Sequence, residues 1–213
     1  PVLASGLGQA LVDPNDPTHG TVAGERCSIV RVKNFDETTL TEKNELVGIP
    51  TIITMQNLDD GRKEIFFQPL NPYNFDDPNF NPKLFIQKAM ICLQSLFRNG
   101  LVHGSISSET VYAGGNNEPL FGGYENSMKR SNELNDRAND ILNVGLIVDN
   151  YINSILEKEK DIENNEKELL KDSAYLPFLI DLLNEMSNQD PEERPTPEEV
   201  LRHPIFFEGY QKL

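Results

Sequence analysis

The spacing of apolar residues changes once along this chain, near Asn81, and that change limits what the sequence can fold into. Before it, short β-branched runs alternate with clusters of turn residues; after it, apolar residues recur three and four apart, as they do on one face of a helix. Such a sequence specifies a strand-rich part followed by a helical one, the α+β class. The 213 residues suffice for one large domain or two small lobes, each burying an apolar core.

In the first part, P-N-D-P-T-H-G from Pro14 to Gly20 is turn chemistry, and R-C-S-I-V-R-V-K from Arg26 to Lys33 predicts a strand. E-I-F-F-Q from Glu64 to Gln68 predicts another, ahead of a Pro- and Asn-rich link through Pro82. We expect residues 1–70 to form a reduced β-rich lobe, 71–82 a hinge, and 83–213 a mainly helical lobe, all within a single domain. Phe85, Ile86, Ala89, Met90, Leu93, Leu96 and Phe97 predict an amphipathic helix from Lys83 to Arg98, stopped by Asn99-Gly100. V-Y-A-G-G-N-N-E-P-L-F predicts two short strands about a Gly-Asn turn. Asp140 to about Leu156 predicts a helix with few polar faces, hence a buried one. The mixed-charge run from Glu157 to Asp172 is expected to be solvated. Leu176 to Met186 predicts a further amphipathic helix, and Thr196-Pro197-Glu198-Glu199 supplies an N-cap, a first-turn proline and a capping-box glutamate for the last, which ends near His203-Pro204.

Hydrophobic residues make up 38% of the chain and charged ones 25%, and no apolar run approaches the roughly eighteen residues of a membrane span, so a soluble protein without membrane insertion is expected. Its net charge of -15, from 34 acidic and 19 basic residues, repels nucleic acid and anionic lipid and favours basic or neutral protein partners. Cys27 and Cys92 lie inside apolar patterns, where small buried thiols are expected; two cysteines make neither a disulfide framework nor a metal set. The opening residues carry no basic stretch followed by an apolar one, so a targeting segment is expected to be absent or removed, and a cytoplasmic or a secreted location stays open.

Four segments together resemble the protein-kinase fold across nearly the whole chain. L-V-H-G-S-I-S-S-E-T-V (Leu101 to Val111), after an amphipathic helix, is similar to the kinase catalytic loop. D-I-L-N-V-G-L-I (Asp140 to Ile147) resembles the helix that organises the kinase C-lobe. D-P-E-E-R-P-T-P-E-E-V-L-R-H-P-I-F-F (Asp190 to Phe207) resembles the closing motif of that lobe and is the most specific match, and S-I-V-R-V-K (Ser28 to Lys33) resembles the strand that ends in the nucleotide-binding lysine. The resemblance implies a two-lobed fold. A narrower similarity, carried by L-F-G-G-Y-E and D-P-N-D-P-T-H-G, is to the secreted rhoptry-type kinases and pseudokinases of apicomplexan parasites.

On this resemblance the residues of phosphoryl transfer are missing. Ser105 stands where an aspartate would accept the substrate's proton, and a serine hydroxyl is far too weak a base near neutral pH. Ser107 stands in place of the loop lysine and Thr110 in place of the asparagine that holds one magnesium. Gly123, Tyr124 and Glu125 take the three positions of D-F-G, so the metal-binding carboxylate is absent and Glu125 is displaced from it. His103, Tyr124, Asp140 and Arg194 are expected in structural roles: His103 and Tyr124 packed in the core, Asp140 capping its helix and accepting backbone N–H bonds from the loop, and Arg194 paired with an acidic residue such as Glu133.

The N-lobe departs further. Gly6-Leu7-Gly8 resembles the opening of a glycine-rich loop, but Leu11 takes the third glycine's place. Lys33 is a possible nucleotide contact, with Arg31 the alternative if the register shifts by two; if Lys33 is the match, Arg31 crowds the adenine floor. A short helix at Thr38 to Leu46 would offer Glu42 and Glu45, with Glu37 just ahead of it, as partners for Lys33, and spacing prefers none of them. The resemblance thus implies a catalytically inactive pseudokinase that acts as a protein-interaction scaffold or allosteric regulator, with a kinase among its possible partners. No cofactor and no metal site are expected, and ATP binding is expected to be weak or absent. A nucleotide sensor without phosphotransfer and an atypical active kinase are the alternatives.

Overall fold

The computed structural model describes residues 10–33, 46–77, 79–123, 128–161 and 176–207. The β-rich lobe is a 5-stranded sheet in which β1 (Ala10–Val12), β2 (His19–Val22), β3 (Glu25–Val32), β4 (Ile52–Asn57) and β5 (Lys63–Phe67) lie in the order β1-β2-β3-β5-β4. All of its pairings are antiparallel. The turn between β1 and β2 forms because Asp13 and Asp16 accept the backbone N–H groups of Asn15 (2.8 Å) and Thr18 (3.0 Å), two residues on in each case. β1, β2 and β4 add to the two strands expected from the sequence. The expected glycine-rich opening at Gly6 to Gly8 and the helix from Thr38 lie outside the described residues, apart from Leu46.

The sheet's two faces differ in what they bury. Ile65, Phe67 and Ile52 join Val30 and Val32 in the main core, which continues through the helical lobe. Cys27, Ile29, Val22 and Phe66 close a second, small cluster on the opposite face. Strand alternation therefore sets Arg31 on the side of Ile29. There it faces Glu64 across the β3–β5 ladder, with Nε donating at 2.8 Å and Nη2 standing 2.7 Å from the same carboxylate oxygen. Gln56 donates to the other oxygen of Glu64. The guanidinium of Arg31 is thus held by Glu64 on the face away from the main core.

A link follows β5, and its short strand β6 (Asn71–Pro72) pairs with a strand of the helical lobe. Tyr73, Phe75 and Phe80 pin the link down: Phe80 lies 4.5 Å from the Tyr151 ring and Phe75 lies 5.5 Å from Phe85. Helix α1 (Pro82–Arg98) starts where the Asn81 side chain accepts the N–H of Leu84 and ends at Asn99, followed by Gly100 with φ of 68°. Its Phe85, Ile86, Ala89, Met90, Leu93 and Leu96 are buried.

After α1 come β7 (Leu101–Val102), β8 (Val111–Ala113), β9 (Pro119–Phe121) and β10 (Lys129–Arg130). β8 and β9 form the expected hairpin, and β7 pairs with β10. Helix α2 (Leu134–Asp161) begins six residues before the expected Asp140, because the Ser131 hydroxyl accepts the Glu133 N–H at 3.1 Å and donates to Asp136 at 2.6 Å. It is amphipathic rather than buried all round: Ile141, Val144, Val148 and Ile152 face the core, while Leu146 and Asp149 face solvent. Helix α3 (Leu176–Met186) and helix α4 (Pro197–Leu201) close the lobe, the latter with both halves of the Thr196/Glu199 capping box formed. Both cysteines are buried free thiols.

The Arg31–Glu64 pair generates a stability test. Glu64 keeps only 3% of its side chain exposed, so Arg31→Ala leaves a buried carboxylate without its counter-ion and should cost about 3 kcal/mol in urea unfolding. Replacing both residues with leucine should cost less than the single change, and equal costs would contradict the pairing.

Candidate functional site

The loop between β7 and β8 is held from beneath by one carboxylate. Asp140, 1% exposed, lies in the second turn of α2 and accepts the backbone N–H groups of His103 (2.7 Å) and Gly104 (2.9 Å). It works from inside the helix, so the expectation that it caps the helix end is corrected. Burial pushes its carboxyl up to about 6, and the two N–H donors oppose that rise.

His103 is fully buried above it. Its Nε2 donates to the Phe121 carbonyl at 3.2 Å and its Nδ1 accepts the Ser105 N–H at 3.4 Å, which puts the ring proton on Nε2. Burial pushes the imidazole down to about 4, so it is neutral at physiological pH.

The next residues close on each other. The Ser105 hydroxyl donates to the Gly123 carbonyl at 3.1 Å, bridging the loop to the segment that follows β9. The Thr110 hydroxyl has a single proton and shares it between the carbonyls of Ser105 (2.9 Å) and Ser107 (3.1 Å), while its oxygen accepts the Ser107 N–H at 2.9 Å. Gly122 N–H donates to the Thr110 carbonyl at 2.8 Å. Gly123 has φ of 78°, and a β-carbon there would stand 2.6 Å from Cγ2 of Thr110. The position therefore rejects a side chain twice, by backbone conformation and by contact.

The structure thus brings Ser105, Ser107, Thr110 and Gly123 together above His103 and Asp140. These groups can donate and accept neutral hydrogen bonds; they offer no carboxylate to a metal ion or a proton. Both oxygens of Asp140 already face backbone donors. Tyr124 and Glu125 lie outside the described residues. Lys33, one residue past β3, is exposed and lies outside this cluster.

Arg194 reaches the start of α2, at the two residues just before Asp140. Its Nε donates to the Asn188 carbonyl at 2.8 Å, and Nη1 donates to the Ala138 carbonyl (3.2 Å) and the Asn139 side chain (3.1 Å). None of these partners is Glu133, so that expected ion pair is corrected: α2 starts earlier than expected and offers carbonyl and amide oxygens in its place.

Beside the loop lies a cleft of about 380 Å³, lined by Ile106, Ser107 and Ser108 on one side and Asn143, Leu146 and Asn150 on the other. Residue patterning does not reveal this cleft, because its two walls are far apart in sequence. The Arg31–Glu64 contact escapes it for the same reason.

A scan of protein-family models and a search of curated protein sequences find no match. Among solved structures, the chain is similar to a divergent kinase lacking the glycine-rich loop, which regulates membrane ultrastructure of the Toxoplasma parasitophorous vacuole. The TM-score is 0.63 at 17% identity, over 86% of this chain and 70% of that one. The fold is protein-kinase-like. At that identity the similarity speaks for the two-lobed architecture alone: the five-stranded sheet is the N-lobe and α1 to α4 belong to the C-lobe.

Asp140 and His103 couple this site to pH with opposite signs. Asp140, raised in the fold, contributes stability that is present at low pH and lost as pH rises through about 6. His103, lowered in the fold, contributes stability that is lost as pH falls from its ordinary value near 6.5 through about 4. Asp140→Ala should cost about 1–3 kcal/mol at neutral pH by orphaning two N–H donors. It should also leave His103 unopposed, so the variant loses stability more steeply than the parent between about pH 6.5 and 4. Parallel stability profiles across that range would contradict the assignment.

Proposed function

We propose that this chain is a pseudokinase, a kinase-shaped domain that binds another protein and transfers no phosphate. The observation that carries the reading is the closure of the loop on itself. The hydroxyl of Ser105, at the proton acceptor's position, is given to the Gly123 carbonyl, and the hydroxyl of Thr110, at a metal ligand's position, is given to Ser105 and Ser107. Gly123, at the second metal position, has no room for a side chain.

Phosphoryl transfer depends on charge placed around the phosphates and on a base for the attacking hydroxyl. Neutral hydroxyls already engaged with carbonyls supply neither. The N-lobe supports the same reading, since Arg31 is committed to Glu64 on the outer face while Val30 and Val32 occupy the inner one. A kinase fold that lacks a nucleotide-cradling element has precedent in the neighbouring structure.

The cleft beside the loop, with the exposed Leu146 and the neutral Asn143 and Asn150, suits protein contact better than phosphate binding. A scaffold or allosteric regulator, with a kinase or another signalling protein as partner, is the role that follows.

Incubation with radiolabelled ATP and magnesium should give no label on the chain itself or on generic kinase substrates. Transfer above background that disappears in Lys33→Ala would overturn the reading and favour an atypical kinase.

A further inference from the structure

Half of the chain's arginines, Arg98, Arg130, Arg137 and Arg194, line two adjoining grooves on the helical lobe; the other half, Arg26, Arg31, Arg62 and Arg202, line neither. The chain as a whole is strongly acidic, with a net charge of -15. The first groove, of about 360 Å³, lies between the end of α1, the start of α2 and the loop before α4. The second shares Phe97 and Arg98 with it. Glu198 is the one carboxylate among the described residues that line either groove.

The charges of Arg98, Arg137 and Arg194 are poorly compensated. Arg98 stands 3.6 Å from Glu198. Arg137 donates to the Phe97 carbonyl (3.3 Å) and to the Asn132 side chain (2.9 Å), and lies 5.3 Å above the Phe97 ring. Its Nε is buried and has no acceptor among the described residues. Arg194 is bonded to two carbonyls and an amide oxygen. Such oxygens satisfy N–H groups and leave a permanent positive charge without a counter-ion. Two half-buried arginines in this state, in a strongly acidic chain, are placed to receive carboxylates from outside.

We propose that this groove is a docking site for an acidic segment of a partner protein. Its glutamate or aspartate carboxylates pair with Arg98, Arg137 and Arg194, with the planar, two-point geometry that guanidinium favours. Its apolar side chains rest on Leu134, which is 52% exposed. The groove is separate from the Ser105 loop, so the proposal goes beyond the pseudokinase reading and stands or falls independently of it.

The test is fluorescence polarisation with a labelled peptide of alternating glutamate pairs and leucines, and with the same peptide carrying lysine at each glutamate. The acidic peptide should bind and the lysine peptide should not. Its Kd should rise about tenfold between roughly 50 and 300 mM salt. Arg98→Glu changes a side chain that is 68% exposed, so the fold tolerates it, and it should weaken binding by about tenfold or more. Arg137→Gln should weaken it further. No binding of the acidic peptide, equal binding of both peptides, an unchanged Kd in Arg98→Glu, or complete displacement by inorganic phosphate at equal concentration would each overturn the proposal. None of these outcomes bears on phosphotransfer, which the radiolabel assay reads separately.

Discussion

The two hydrogen bonds from His103 and Gly104 to the buried Asp140 are the constraint on which the rest of this structure depends. A carboxylate in the second turn of a packed helix is expensive to bury unless its oxygens meet donors. Among the described residues, the donors that meet it are backbone N–H groups of the loop between β7 and β8. The helix thereby fixes the loop, and the loop fixes His103, whose ring reaches the Phe121 carbonyl and ties in the β8–β9 hairpin. Three segments separated in sequence become one rigid unit through two side chains.

What sits on that unit decides its chemistry. In a site built for phosphoryl transfer, charged groups converge where charge develops. Here the convergent groups are Ser105, Ser107 and Thr110, and their polar atoms are turned toward backbone carbonyls and N–H groups nearby. The steric barrier at Gly123 goes with this closure, since the Thr110 methyl occupies the space a side chain would need. Restoring an aspartate at Gly123 would therefore demand a new backbone conformation and a smaller residue at Thr110. The proposed pseudokinase reading rests on this combination: an ordered loop whose convergent groups, Ser105, Ser107 and Thr110, are uncharged.

How much of this was legible in the sequence depended on whether the deciding interaction was local. Helix α1, the α4 capping box and the β8–β9 hairpin could be read because each is specified within a few residues, by apolar spacing, by Thr196 with Glu199, and by the Gly-Asn turn. The two-lobed kinase-like architecture was legible from the long motif at Asp190 to Phe207 and its partners. Interactions across the sheet were not. Arg31 and Glu64 are far apart in sequence, and only the β3–β5 register brings them opposite each other. The start of α2 is not legible in apolar spacing because Ser131, a polar residue in a polar stretch, provides the local hydrogen bonds that begin the helix. The sequence suggests an acidic partner for Arg194, whereas the earlier start of α2 puts carbonyl and amide oxygens within its reach. In the loop, residue types indicate uncharged groups at Ser105, Ser107 and Thr110, but the mutual closure of Ser105, Thr110 and Gly123 is set by the fold.

Calorimetric titration with ATP, with and without magnesium, tests the central claim most directly. Uncharged hydroxyls at Ser105, Ser107 and Thr110 and the exposed Lys33 offer the triphosphate on the order of 1 kcal/mol, against about 8 kcal/mol for micromolar binding. The account predicts no measurable heat, or a weak signal that chelating magnesium leaves unchanged. A micromolar dissociation constant that weakens when magnesium is removed would contradict it.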